Sequence, residues 1–192
     1  RENPAAIPQQ QFPEPIGRHA RRALGLADDF TQLVRAQSQS YRFESCNLVD
    51  VLLECVDDAW EATRHHGIEI VMTPTVDVAN SRTDRELVAR AIANLLGNAL
   101  KFSPAGSSIR CAIEPLPLEW AVLVQDEGPG IDEDLQAHLF NPFARGRSTA
   151  DIDGAGLGLA FVKTVAQRHG GKVLLDSAPG RGSAFRLILP RA

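Results

Sequence analysis

No stretch of the 192 residues approaches the roughly 20 consecutive apolar residues that a bilayer span needs, and the opening RENPAAIPQQQFPEP has no signal-peptide core. A soluble, cytoplasmic piece is expected, without prejudice to a membrane anchor elsewhere in the intact protein. Cysteine is scarce and odd in number: Cys46, Cys55 and Cys111 have no C-x-x-C spacing, which excludes the common zinc and redox motifs and leaves reduced core residues. Basic excess is also missing. A net charge of -4 argues against a face that follows a nucleic-acid backbone, so any phosphate chemistry should be local. No G-x-x-x-x-G-K-[ST] occurs, and no internal repeat is evident. What remains is 44% hydrophobic and 23% charged, enough for one good core and a small appendage.

Residues 1–15 carry Pro4, Pro8, Pro13 and Pro15 and three consecutive glutamines, and read as a loop or frayed tail. From 16 to about 40 the pattern changes, with Ile16, Ala20, Ala23, Ala27, Phe30 and Val34 recurring every three or four residues. That spacing predicts a long amphipathic helix with a coiled-coil-like seam. Asn47 with Asp50 resembles a capping arrangement for a second helix ending near Gly67. A strand around Ile68, Ile70 and Met72 follows, and Asp84 is the expected N-cap of a helix running to about Phe102. SSIRCAIEP and EWAVLVQDE read as consecutive strands, 128–158 as a glycine-rich and mostly irregular stretch, 157–169 as a helix, and KVLLD and SAFRLILP as closing strands around SAPGRG.

Three elements carry chemistry. At 100° per residue, Asn94, Asn98 and Lys101 share one edge of the apolar helix that starts at Asp84. Asparagine disfavours a helix interior, so two of them at this spacing fit a polar row that holds a metal and a phosphate, although a solvated edge is the more ordinary explanation of the row taken alone. In VQDEGPGID an apolar strand delivers Asp126 into a turn of Gly128, Pro129 and Gly130. An ionised carboxylate only accepts hydrogen bonds and therefore matches the amino group of adenine and mismatches the carbonyl of guanine; a plain turn is the alternative. In DGAGLGLAFVKTVAQRHGG, Gly154, Gly156 and Gly158 run into a helix, where bare N–H groups suit an anion, but Leu159 stands where a dinucleotide fingerprint needs glycine or alanine.

The order NLLGNALKFSP, DEGPGI, LFNPFARG, GAGLGLAFVKTVAQRHGGKV, GRGSAFRLILP resembles the catalytic and ATP-binding domain of sensor histidine kinases, within the superfamily of gyrase, Hsp90 and MutL, over about three quarters of the chain. The resemblance implies a two-layer α/β sandwich of the Bergerat type, a mixed sheet with helices on one face, over 47–192, with 16–46 standing as the second helix of a dimerisation hairpin. It implies that Asn98 holds Mg²⁺, that Asn94 assists near the phosphates of ATP, that Lys101 binds phosphate, and that Phe102 and Ile131 flank the nucleotide. Asp126, with Gly128 and Gly130, would take the adenine amino group. Phe140 and Phe143 would order the lid, Arg145 would reach the γ-phosphate, and Gly154, Ala155, Gly156, Leu157, Gly158 and Ser183 would complete the nucleotide set. A homodimer and a response-regulator receiver domain are the implied partners.

Departures from the pattern carry information too. No His-Glu-x-x-Arg-x-Pro motif is present, and His19, His65, His66, His138 and His169 stand in ordinary surface, seam or helix-end contexts, so the phosphoacceptor is expected outside these residues and the chain is expected to start within the hairpin loop. Asn94 stands where hydrolytic relatives place a water-activating glutamate, which implies slow hydrolysis. Ala155 replaces a common Ser or Thr and removes one phosphate hydrogen bond. An anti-sigma-type serine kinase, or a catalytically weak ATP clamp, is the competing reading; the phenylalanine box and the GAGLGL form favour the histidine-kinase branch.

Overall fold

A computed structural model describes residues 14–73, 76–144 and 155–192. The elements run α1 (Glu14–Ser38), β1 (Glu44–Asn47), α2 (Leu48–His66), β2 (Glu69–Thr73), β3 (Asn80–Thr83), α3 (Arg85–Phe102), β4 (Ser108–Pro115), β5 (Glu119–Asp126), α4 (Glu133–Gln136), α5 (Gly158–Arg168), β6 (Lys172–Ser177) and β7 (Ser183–Pro190). Five strands form one sheet in the order β2-β4-β5-β7-β6, parallel between β2 and β4 and antiparallel elsewhere. Alternation decides its faces. Val122, Val124, Phe185, Leu187 and Leu189 point toward α2, α3 and α5 and join their buried residues in one core, while Ala112, Leu123 and Ala184 form a separate small cluster. The mixed, one-side-covered sheet is therefore the expected two-layer sandwich.

The helix that carries the asparagine row begins where the sequence placed it. Asp84 Oδ1 accepts the Leu87 N–H at 3.2 Å, satisfying one of the orphan donors of the first turn. Leu87, Val88, Ala91, Ile92, Leu95, Leu96, Ala99 and Leu100 are all buried, and each large side chain contributes about 1.5–3 kcal/mol by leaving water. In α2, Asn47 Oδ1 caps Val49 at 3.2 Å and also accepts the Ala79 N–H at 2.9 Å, and Gly67 closes the helix in the left-handed conformation.

Several features differ from expectation. α1 starts at Glu14, inside the segment read as tail, and Pro15 fits there because a first-turn residue needs no N–H partner. β1 and β3 pair as a two-stranded antiparallel ribbon that neither sequence announces, since ESCN and NSRT bury only alternate small residues and are held by pairing with a distant segment, Asn47 to Asn80 through Glu44 to Thr83. α4 forms one turn within the stretch read as irregular, with Glu133 and Asp134 at its positive end.

Candidate nucleotide site

The C-terminal half of α3 carries the candidate polar residues. Near the middle of the helix, Asn94 is half-buried and donates Nδ2 to the Arg90 carbonyl at 3.0 Å. The first turn of α5 lies directly on it: a Cβ at Gly158 would stand 2.7 Å from Asn94 Oδ1. A side chain there would have to displace the Asn94 amide. Asn98 is half-buried one turn further on, and Lys101 Nζ lies 4.9 Å from the centroid of the Phe102 ring. Asn94 and Phe102 are eight residues apart, about 12 Å along the helix axis, which is the scale of a nucleoside triphosphate.

Beyond the C-terminus of α3 lies Asp126, 6% exposed at the end of β5. Its Oδ1 accepts the Gly128 N–H at 2.8 Å, and the backbone of Ser183 also donates to the carboxylate. Burial pushes the Asp126 carboxyl above the ordinary aspartate range, with those two backbone hydrogen bonds opposing the shift. A Cβ at Gly128 would lie 2.8 Å from Asp126 Oδ1 and 3.0 Å from the Phe102 carbonyl, so this backbone is pressed between the carboxylate and the end of α3. Gly130, at φ +73, lies against the Ala178 carbonyl, where a Cβ would overlap at 1.9 Å. Phe102, Ser103, Pro104, Glu127, Gly128 and Pro129 line an open hollow, and the Ser103 hydroxyl is buried beside it without a partner among the described residues.

The remaining predicted residues divide. Ile131 is half-buried against the core, Leu157 and Ser183 are buried, and Phe140 packs edge-on to Phe185 at 6.4 Å. Phe143 is 58% exposed and holds φ 65, with its N–H on the Gly156 carbonyl at 2.9 Å, so the two phenylalanines have different surroundings. Ala155 and Gly156 lead into α5. Arg145 and Gly154 lie outside the described residues. Among the described residues no group of three or more His, Cys, Asp or Glu could hold a metal, and no helix is long and apolar enough to cross a membrane.

A half-buried asparagine row, a buried carboxylate past its end and a glycine-led helix start facing it coincide with a known pattern. Residues 83–192 match the family described as histidine kinase-, DNA gyrase B-, and HSP90-like ATPase. The chain belongs to this ATPase family. Among relatives of this ATPase, the alginate biosynthesis sensor protein KinB of Pseudomonas aeruginosa is 30% identical over 190 residues, 97% of this chain and 31% of that one. The signal transduction histidine-protein kinase/phosphatase MprB of Mycobacterium sp. (strain KMS) is 32% identical over 170 residues, 86% of this chain and 32% of that one. The chain thus spans about a third of the length of these relatives. A solved mycobacterial sensor histidine kinase MprB matches with a TM-score of 0.68 at 29% identity, covering 78% of this chain and 97% of that one. Full-length ShkA, solved in complex with AMPPNP, shares the fold at a TM-score of 0.83 and 23% identity, over 99% of this chain and 40% of that one.

Sequence reasoning missed three participants. His169, read as an ordinary helix end, does cap α5 but is buried: Nε2 accepts the Asp84 N–H at 2.9 Å and Nδ1 lies 2.7 Å from the Val165 carbonyl. That arrangement suits the neutral ring with its proton on Nδ1, tying the end of α5 to the cap of α3. Ser177 and Gln136 surround Ile131 with hydrogen bonds; the serines flanking the PGRG turn were the only signal for Ser177, and Gln136 had none.

Proposed function

We propose that this chain is the ATP-binding catalytic part of a sensor histidine kinase, which passes the γ-phosphate of ATP to a histidine on a dimerisation hairpin and thence to a response-regulator receiver domain. The observation that carries the reading is the buried Asp126 carboxylate against Gly128 at one end of α3, with Asn94 under Gly158 about two turns back along the helix from that end. Asp126 accepts from the adenine amino group, and Phe102 and Ile131 flank the ring. Lys101 offsets phosphate charge, and Arg145 belongs to the same end by resemblance. The N–H groups opening α5 face the phosphates. Asn98 offers a neutral oxygen of the hard type Mg²⁺ accepts, and the lack of an acidic cluster among the described residues fits an ion held mainly by phosphate oxygens and water. Bound Mg-ATP supplies the transferable phosphoryl group and the charge neutralisation of its oxygens.

Asn94 cannot take a proton from water, so hydrolysis without an acceptor is slow. Exposed Phe30 and Val34 on α1, on a strip beside the one that buries Leu33 and Ala36, support a homodimer in the intact protein through 16–46, with 47–192 as the catalytic unit. The test is incubation with γ-labelled ATP, alone and with a separately made hairpin bearing the upstream helix. Acid-labile label on the added hairpin only, lost in Asn98→Ala with ATP still bound, is expected. Label on the isolated chain that disappears with His19 would overturn the assignment, and ATP binding without transfer in either arm would favour the clamp reading.

A further inference from the structure

Asp126, Ser183 and Ser177 form a polar row across three neighbouring strands: Asp126 is register partner to Ser183 on β7, and Ser183 to Ser177 on β6. All three point to the helix-covered face. The hydroxyl of Ser177 has three neighbours. The Ile131 N–H reaches it at 3.0 Å, the Gly182 carbonyl lies 2.8 Å away, and Ser183 Oγ lies 3.1 Å away. A hydroxyl has one proton, an amide N–H only donates and a carbonyl only accepts. The Ser177 proton therefore goes to Gly182, and the contact with Ser183 forms only if Ser183 is its donor. Ser183 is left presenting lone pairs, beside an Asp126 carboxylate that already accepts the backbone N–H groups of Gly128 and Ser183.

We infer that Ser177 is a positioning residue for purine selection: by accepting the hydrogen bond of the Ser183 hydroxyl it leaves Ser183 presenting only lone pairs beside Asp126, which welcome an amino group and repel a carbonyl. The inference rests on Asp126 as the purine contact. Gln136 holds the frame from behind, donating Nε2 to the carbonyls of Ile131 at 2.6 Å and Ser177 at 3.0 Å, while the Gly180 N–H reaches the Pro129 carbonyl at 2.7 Å. The two residues thus have separable tasks. Ser177 decides the polarity of the floor through its hydroxyl, and Gln136 holds the main chain of Ile131 and Ser177 without touching that hydroxyl.

Removing the hydroxyl in Ser177→Ala frees the Ser183 proton to rotate and donate to a carbonyl. The experiment is calorimetric titration of the protein and its variants with Mg-ADP and Mg-GDP. Ser177→Ala is expected to narrow the adenine-over-guanine affinity ratio at least about threefold, with Ser177→Thr restoring it because the hydroxyl returns. Gln136→Ala is expected to weaken both nucleotides together and leave the ratio unchanged, the signature of a framework effect. Should Ser177→Ala not fold, Ser177→Cys, with its weak acceptor sulfur, is expected to move the ratio in the same direction. An adenine-selective parent whose ratio is the same in Ser177→Ala or Ser177→Cys, or a Ser177→Thr that fails to restore it, overturns the inference alone. A parent with no adenine preference overturns it together with the Asp126 reading.

Discussion

At the Asp126 end, Asp126, Ser183 and Ser177 are buried or half-buried, Asp126 and Ser177 answer backbone groups while the Ser183 hydroxyl answers Ser177, and glycines let the main chain close onto them. The seat of α1 is constructed otherwise. Leu33 and Ala36 pack inward, but the polar ties are at the surface: Asp28 to Arg90 at 3.1 Å, and the exposed Arg168 guanidinium over the Tyr41 ring at 4.4 Å, donating to the last carbonyls of α1. Buried hydrogen bonds cost several times more to break than solvated ion pairs. The Asp126 end is thus rigid by construction, whereas α1 is held by bonds that water and salt can replace.

The sharpest way to break the contrast is at Gly182, whose φ is +70 and whose Cβ would stand 2.0 Å from the Asp126 carbonyl. Gly182→Ala should lose at least about 3 kcal/mol in urea unfolding, since main chain on both sides cannot yield. Gly180→Ala, at φ +76 with open space around it, should lose only about 1–2 kcal/mol. Equal losses would show the close approach to be soft. Asp126→Asn comes next: an amide places a donor against either the adenine amino group or a backbone N–H, and ATP binding should weaken about 10–100-fold by calorimetry, the range of an unmatched buried polar group. Because burial raises its pKa, protonation sets in above the ordinary aspartate range, and ATP affinity should decline there as pH falls.

At the α1 seat, Arg168→Ala should cost about 1–2 kcal/mol and speed tryptic cleavage at Arg42, with ADP affinity unchanged. A loss of ADP affinity would mean that the two regions are coupled. His169 is held below its ordinary value of 6.5 by burial first, with the hydrogen bond to Val165 and Asp84 opposing and Arg168 adding to the shift. A depressed pKa means that the unfolded chain binds the proton more tightly, so its stabilising contribution is full above about 6.5 and is lost as pH falls through the folded value. Unfolding free energy should show that acid slope and His169→Gln should lack it. The smallest effect belongs to Asp28→Ala, whose ion pair is largely solvated and should contribute less than about 0.5 kcal/mol.

Much of this was legible because its determinants are local. Asp84 caps α3, Gly67 ends α2, and the apolar face from Leu87 to Leu100 follows from helical spacing alone. The candidate motifs were likewise contiguous runs. Illegible elements depend on partners far along the chain: β1 needs β3, and His169 needs Asp84, 85 residues earlier.

By itself the sequence determined the order of the long helices and of the five main-sheet strands, the helix-covered face of the sheet and the chemical types offered to a nucleotide, because 3.6-residue and two-residue periodicities and capping residues act over one or two turns. Tertiary structure decided which hydrogen bonds those groups have left to give. That Ser183 must donate to Ser177, and that Asn94 lies beneath Gly158, follows only once β5, β7 and β6 are aligned and α5 is laid on α3, since a hydroxyl or an amide has no fixed polarity until its neighbours claim its protons and lone pairs.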